Sequence, residues 1–176
     1  MLSAFASRRG AVLTQLAIGQ RENELTRALP LLHQIDLTDV LITGDAMFAP
    51  RSLCAHIVVH GGHYVFEVKD NQSALPLQRS FRNGPGRAGR ADDRWRAWAD
   101  RHSHSLHTRP GLEDDRLTWP GLGQICRLVH QSQRRGRWHT EVHYKITSLP
   151  PERASPADLL RFSRVHWAIE NQLHYV

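Results

Sequence analysis

Cysteine, methionine, tyrosine and lysine are all scarce in this chain, and the shortages exclude several classes of protein. The two cysteines, Cys54 and Cys126, lie far apart in sequence, which excludes a disulfide framework and the close pairing of a cysteine-rich zinc site. Both sit among apolar residues and read as buried thiols of a reducing compartment. No apolar run reaches membrane-spanning length. Met1 to Gly10 has no long apolar core and places Arg8 and Arg9 after a short apolar stretch, which is not a secretory signal. The reading is therefore a cytoplasmic chain with no membrane partner. Lysine is reduced to Lys69 and Lys145, so arginine carries the basic balance of 23 Lys and Arg against 17 Asp and Glu. A basic domain favours a polyanionic partner, nucleic acid most commonly. A GC-rich coding bias would leave the same arginine-for-lysine signature, and composition does not separate the two.

What is present suits one domain. A chain of 176 residues is long enough for a single core and short for two. Leu2–Ala6 and Ala11–Ile18 read as a β-hairpin around Gly10. Asn23 can cap a helix running to about Gln34, with Pro30 as a kink or a late start. Val40–Thr43 is a short β-branched run that stops at Gly44-Asp45. Pro50 suits the first turn of a second helix, and Gly61-Gly62 closes it. Tyr64–Val68 is the next strand. Strand, helix and strand in about thirty residues make a βαβ unit with parallel strands. Asp45 and Lys69 then share the sheet edge where open α/β sheets bind ligands.

Residues Arg79–Leu117 lose apolar periodicity and are rich in glycine, proline and arginine, so an irregular insertion is expected there. Gln124–Val129 and Thr140–Thr147 read as strands joined through Arg134–Arg137. A final helix from Pro156 carries Leu159, Phe162, Val165, Ile169, Leu173 and Val176 as its core stripe.

Few residues suggest chemistry. Asp45 ends a buried strand, where a carboxylate is partly withdrawn from water and attracts a divalent cation beside a second one. Taken singly, such an Asp more commonly caps the helix that follows. Glu170 shares a helical face with Trp167 and His174 beside the apolar stripe. An isolated Glu there is more commonly solvated. The surrounding Arg164–Tyr175 is nevertheless dense in Arg, His, Trp and Asn, which suit phosphate contacts and the orientation of a metal-bound carboxylate. Lys69-Asp70-Asn71-Gln72 offers a cation and two amides, or simply a turn. His102, His104 and His107 could be read as zinc ligands, although they lack the i, i+4 pairing of a helical site.

Together, Leu41–Met47, Gly61–Val65, Val68–Gln72, Trp119-Pro120-Gly121, Ile146–Leu149 and His166–His174 form an ordered set of motifs. The set resembles the DDE transposases of the ISAs-type insertion sequences over the whole chain, except about Leu75–Leu117. The resemblance implies an α/β, RNase H-like mixed sheet flanked by helices, with an irregular insertion before the final strands and helix. It implies metal-dependent DNA strand cleavage and transfer with Mg²⁺ or Mn²⁺, on insertion-sequence ends and target DNA, with homo-oligomers a further possible partner. Asp45 matches the second of the family's three carboxylates and Glu170 the third, both as metal ligands. Lys69, Asn71, Gln72, His166, Trp167 and Asn171 match motifs around the site and are read as DNA contacts. The first carboxylate and its strand match nothing in this chain. The expectation is a partial catalytic domain over residues 1–176, inactive by itself. Two alternatives stay open: a decayed remnant that binds DNA without cutting it, and a small basic protein with zinc at the histidine cluster.

Overall fold

The computed structural model describes residues 2–6, 11–19, 22–68, 81, 87–90, 102–110 and 119–173. Strands β1 (Leu2–Ala6) and β2 (Ala11–Leu16) pair antiparallel as the expected hairpin, in a two-stranded sheet of their own. Helix α1 (Glu24–Leu32) begins where Asn23 predicts it. The Asn23 side chain accepts from Thr26 N at 2.9 Å, and Thr26 Oγ1 accepts from Asn23 N at 3.2 Å. This reciprocal cap satisfies two backbone donors that a helix start leaves open. Pro30 lies inside the helix and does not delay its start.

Strand β3 (Leu41–Gly44), helix α2 (Arg51–Val59) and strand β4 (His63–Val68) form the βαβ unit, and the two strands pair parallel. Four more strands extend the sheet: β5 (Arg87–Arg90), β6 (His102–Pro110), β7 (Gln124–Arg134) and β8 (Arg137–Thr147). The order is β3-β4-β8-β7-β6-β5, antiparallel everywhere except β3–β4. Helix α3 (Pro156–Leu173) follows Ser155, whose Oγ and Asp158 carboxylate cap its first turn.

The mixed sheet separates two cores. Tyr64, Phe66, Ile125 and Ile146 face α1 and α2, packing on Leu32, Leu53, Cys54 and Ile57. Val65, Leu106, Cys126 and Leu128 face α3, packing on Leu159 and Leu160. The alternation along β4 produces this directly, since Tyr64 and Phe66 point one way and Val65 the other. Both cysteines are buried, as expected, and burial pushes each thiol up to about 12. No described helix is long and apolar enough to cross a membrane.

The irregular insertion expected over about 75–117 is corrected in part. Residues 87–90 and 102–110 are strands, and β6 pairs with β7 along nine consecutive residues. Its apolar signal is almost invisible in the sequence because Leu106 and Thr108, the residues described as buried in it, stand among His, Ser and Arg. The core it covers is supplied by β7 and α3. The β7–β8 hairpin is also longer than its sequence suggested, running to Arg134 and from Arg137.

Candidate functional site

Parallel pairing of β3 with β4 brings their carboxyl ends to one edge. Gly44 pairs with Phe66, so Asp45 comes level with Glu67. Alternation places Asp45 on the face of Thr43 and Val65, the face that α3 covers, and α3 lies against β3, β4, β5 and β6. Gly44 permits this close-packed end, because a Cβ there would come within 3.1 Å of the Phe48 ring. Asp45 begins a 3₁₀ turn over Ala46–Phe48 without a side-chain cap hydrogen bond, so the capping role is not the one it fills. It is exposed, which corrects the expected partial withdrawal from water. The reason is positional: the last paired residue is Gly44, and the neighbouring turn buries Ala46 instead.

Next to that position lies a charged network that sequence reading missed. His143 Nδ1 donates to Glu67 Oε1 at 2.9 Å, and Lys145 Nζ stands 3.7 Å from Glu67 Oε2. Lys145 is 3% exposed. Glu141 extends the line, 3.9 Å from His143 Nε2 and 3.7 Å from His130 Nδ1. The hydrogen bond to Glu67 raises the His143 pKa above its ordinary value, and partial burial opposes it. Glu67 thus offers one oxygen to an imidazole N–H and the other to an ammonium group. A signal was available: Glu141, His143 and Lys145 alternate along one strand, and Glu67 interrupts the apolar run of β4. A carboxylate in a buried parallel strand requires a partner.

The Trp119-Pro120-Gly121 motif holds the loop beyond Asp45. Trp119 Nε1 donates to the Ala49 carbonyl at 2.9 Å, and Tyr64 Oη donates to the Pro120 carbonyl at 3.0 Å. The remaining expected residues are placed only in part. His166, Trp167, Glu170 and Asn171 stand on α3 by their backbone, and their side chains lie outside the described part. Lys69, Asn71 and Gln72 lie outside the described residues. Among the described residues, no three His, Cys, Asp or Glu side chains come together as a metal site. Residues 102–110 form a strand, so positions 102 and 104 fall on one face of it and 107 on the other.

A second basic feature is the tip of the β7–β8 hairpin. Arg135 (φ 50°) and Gly136 (φ 75°) form its two-residue turn, and Arg137 and Trp138 follow, both exposed. Trp138 keeps 54% of its surface in water.

The family model for the transposase DDE domain matches residues 1–176. The chain is similar to "Putative transposase YncI" of Escherichia coli O157:H7, at 28% identity over 100% of this chain and 47% of that protein. It is also similar to "H repeat-associated putative transposase YhhI" of Escherichia coli K12, at 29% identity over 99% of this chain and 49% of that one. The chain therefore spans about half the length of these relatives. Among solved structures, an S-adenosylmethionine-dependent methyltransferase from Clostridium acetobutylicum is similar over 67% of this chain and 44% of its own, at 14% identity and a TM-score of 0.25. That likeness is too slight to carry an argument.

Proposed function

The chain belongs to the transposase DDE domain family, and from that premise we propose that it is part of the catalytic domain of a DNA transposase, built on an RNase H-like sheet and acting in the cytoplasm. The reaction is metal-dependent cleavage and transfer of DNA strands at the ends of a mobile element. The observation that carries this reading is the position of Asp45, at the carboxyl end of the parallel β3–β4 pair, on the sheet face that α3 covers. Glu170 belongs to that same helix.

The donor chemistry suits Mg²⁺ or Mn²⁺, which take oxygen ligands. Asp45 is exposed, and Asp45 and Glu170 would hold the ion. Glu67 stays with Lys145 and His143 and fixes the sheet edge beside Asp45. When bound, such an ion activates water or a 3′-hydroxyl and stabilises the leaving oxygen. The family site uses three carboxylates, and this chain supplies matches for two. We therefore infer that the 176 residues do not complete the site by themselves.

DNA contacts come from Lys69, Asn71, Gln72, His166, Trp167 and Asn171 by resemblance, and from the exposed hairpin tip by its chemistry. A strand-cleavage assay with Mg²⁺ or Mn²⁺, on DNA carrying the element's ends, tests the reading. A protein including the rest of the domain should cut, and Asp45→Ala or Glu170→Ala should lower its rate at least about a hundredfold. Equal cleavage by both variants would remove these residues from the site. A second reading is a remnant that binds DNA without cutting it. DNA binding without cleavage by the longer protein would favour it.

A further inference from the structure

Three histidines that the transposase reading does not use meet where α1 and α2 end. His33 closes α1, His60 closes α2, and His56 stands one turn before His60. The ring centres of His33 and His56 are 4.6 Å apart, those of His56 and His60 are 4.1 Å apart, and those of His33 and His60 are 6.5 Å apart. They border a pocket of about 270 Å³ that Asp36 also lines. The two helices lie against the core opposite α3, so this corner is on the other side of the sheet from Asp45 and the face that α3 covers.

Several independent features favour one kind of ligand. His56 and His60 are four residues apart on a helix, the spacing by which two imidazoles from one face grip a single metal ion. Three imidazoles around a tetrahedral ion, with nitrogens about 2 Å from it, have ring centres about 5 Å apart. The observed separations straddle that value. His60 Nδ1 lies 2.8 Å from the His56 carbonyl oxygen. A carbonyl only accepts, so Nδ1 is the donor in this bond and Nε2 is the nitrogen left to face a ligand. A metal-ligating histidine is commonly oriented by such a bond from its other nitrogen. Both helices also end here, and their last carbonyls favour a cation.

As placed, His33 meets the other two rings edge-on, His56 and His60 are tilted by 40°, and the three do not yet form a ligand set. His33 and His60 are exposed, so their side chains have room to change rotamer. We propose that His33, His56 and His60 form a binding site for a divalent ion of the zinc class, with Asp36 as a further oxygen ligand. Neutral imidazoles select zinc, nickel or copper over magnesium, so this site is chemically distinct from a carboxylate centre. An ion held there would join the ends of α1 and α2.

The test is a Co²⁺ and Zn²⁺ titration of the 176-residue chain, followed by the visible absorption of bound Co²⁺ and by competition with a chelating dye. One ion should bind per chain. His56→Gln/His60→Gln should weaken binding at least tenfold, and so should His33→Gln, an exposed single change that keeps the test valid if the double variant fails to fold. Asp45→Asn and His102→Gln/His104→Gln/His107→Gln should retain binding. Saturating zinc should raise the melting temperature of the parent chain and not that of the His33 variant. The absence of stoichiometric binding would overturn the proposal, as would binding that survives the His33 and His56/His60 changes or is lost with Asp45 or the β6 histidines.

Discussion

Glu67 and Lys145 face each other across β4 and β8, with Nζ 3.7 Å from Oε2 and the lysine almost wholly withdrawn from water. One of the chain's two lysines is thus buried at the centre of the mixed sheet. Taking an ammonium group out of water is costly, and a facing carboxylate offsets much of that cost. Glu67→Gln should therefore destabilise the fold by about 3 kcal/mol or more, because it leaves a buried ammonium without its carboxylate. Lys145→Met in that background should recover part of the loss. Urea denaturation of the two single variants and the double variant gives the coupling. Simple additivity would mean that the pair does not act as a unit.

The same carboxylate makes stability depend on pH. The folded pKa of His143 is raised, first by its hydrogen bond to Glu67. Its stabilising contribution is then fully present below the unfolded-state histidine value and is lost as pH rises through the higher folded value. His143→Gln should cost about 1 kcal/mol or more in mildly acid solution and distinctly less in mildly alkaline solution. Melting curves of both proteins across that range check the sign. A difference that grows as the pH rises would contradict the assignment.

Much of the fold was legible in the chain. Asn23, Pro50 and Gly61-Gly62 bound their helices, and the β-branched run before Gly44-Asp45 marked a parallel strand. Local chemistry determines such features. The Glu67 network was not legible, because its members are up to 78 residues apart and meet only through the β4–β8 register. Strand β6 was missed for a related reason. A strand whose neighbours supply most of the apolar surface has little periodicity of its own to reveal.

Leu106 of β6 is fully buried in the core beneath α3. Leu106→Ala should cost about 2–5 kcal/mol, as for other well-packed core leucines, where an irregular surface segment would lose almost nothing. Hydrogen exchange should show protected amides within 102–110. Fast exchange throughout that stretch, with a neutral Leu106→Ala, would restore the irregular reading.

The hairpin tip permits a test in which stability and DNA binding move in opposite directions. Arg135 occupies the left-handed region at φ 50°, a conformation that costs an ordinary side chain about 1 kcal/mol and suits Asn or Gly. Arg135→Asn should therefore stabilise the chain slightly. An arginine at an exposed tip, beside Arg137 and an exposed Trp138, has instead the chemistry of a phosphate contact with an aromatic platform for a base. If the tip meets DNA, Arg135→Asn should weaken binding while raising the melting temperature. Removing one arginine–phosphate pairing should flatten the slope of log affinity against log salt by about 0.9. Arg135→Asn with Arg137→Gln should then flatten it by about twice that. Trp138→Ala should lower affinity with little change in slope, because stacking releases no counterions. Fluorescence anisotropy on a labelled duplex and on a single strand, from about 50 to 200 mM salt, measures all three. An unchanged slope in the double arginine variant would show that the tip does not touch the phosphate backbone.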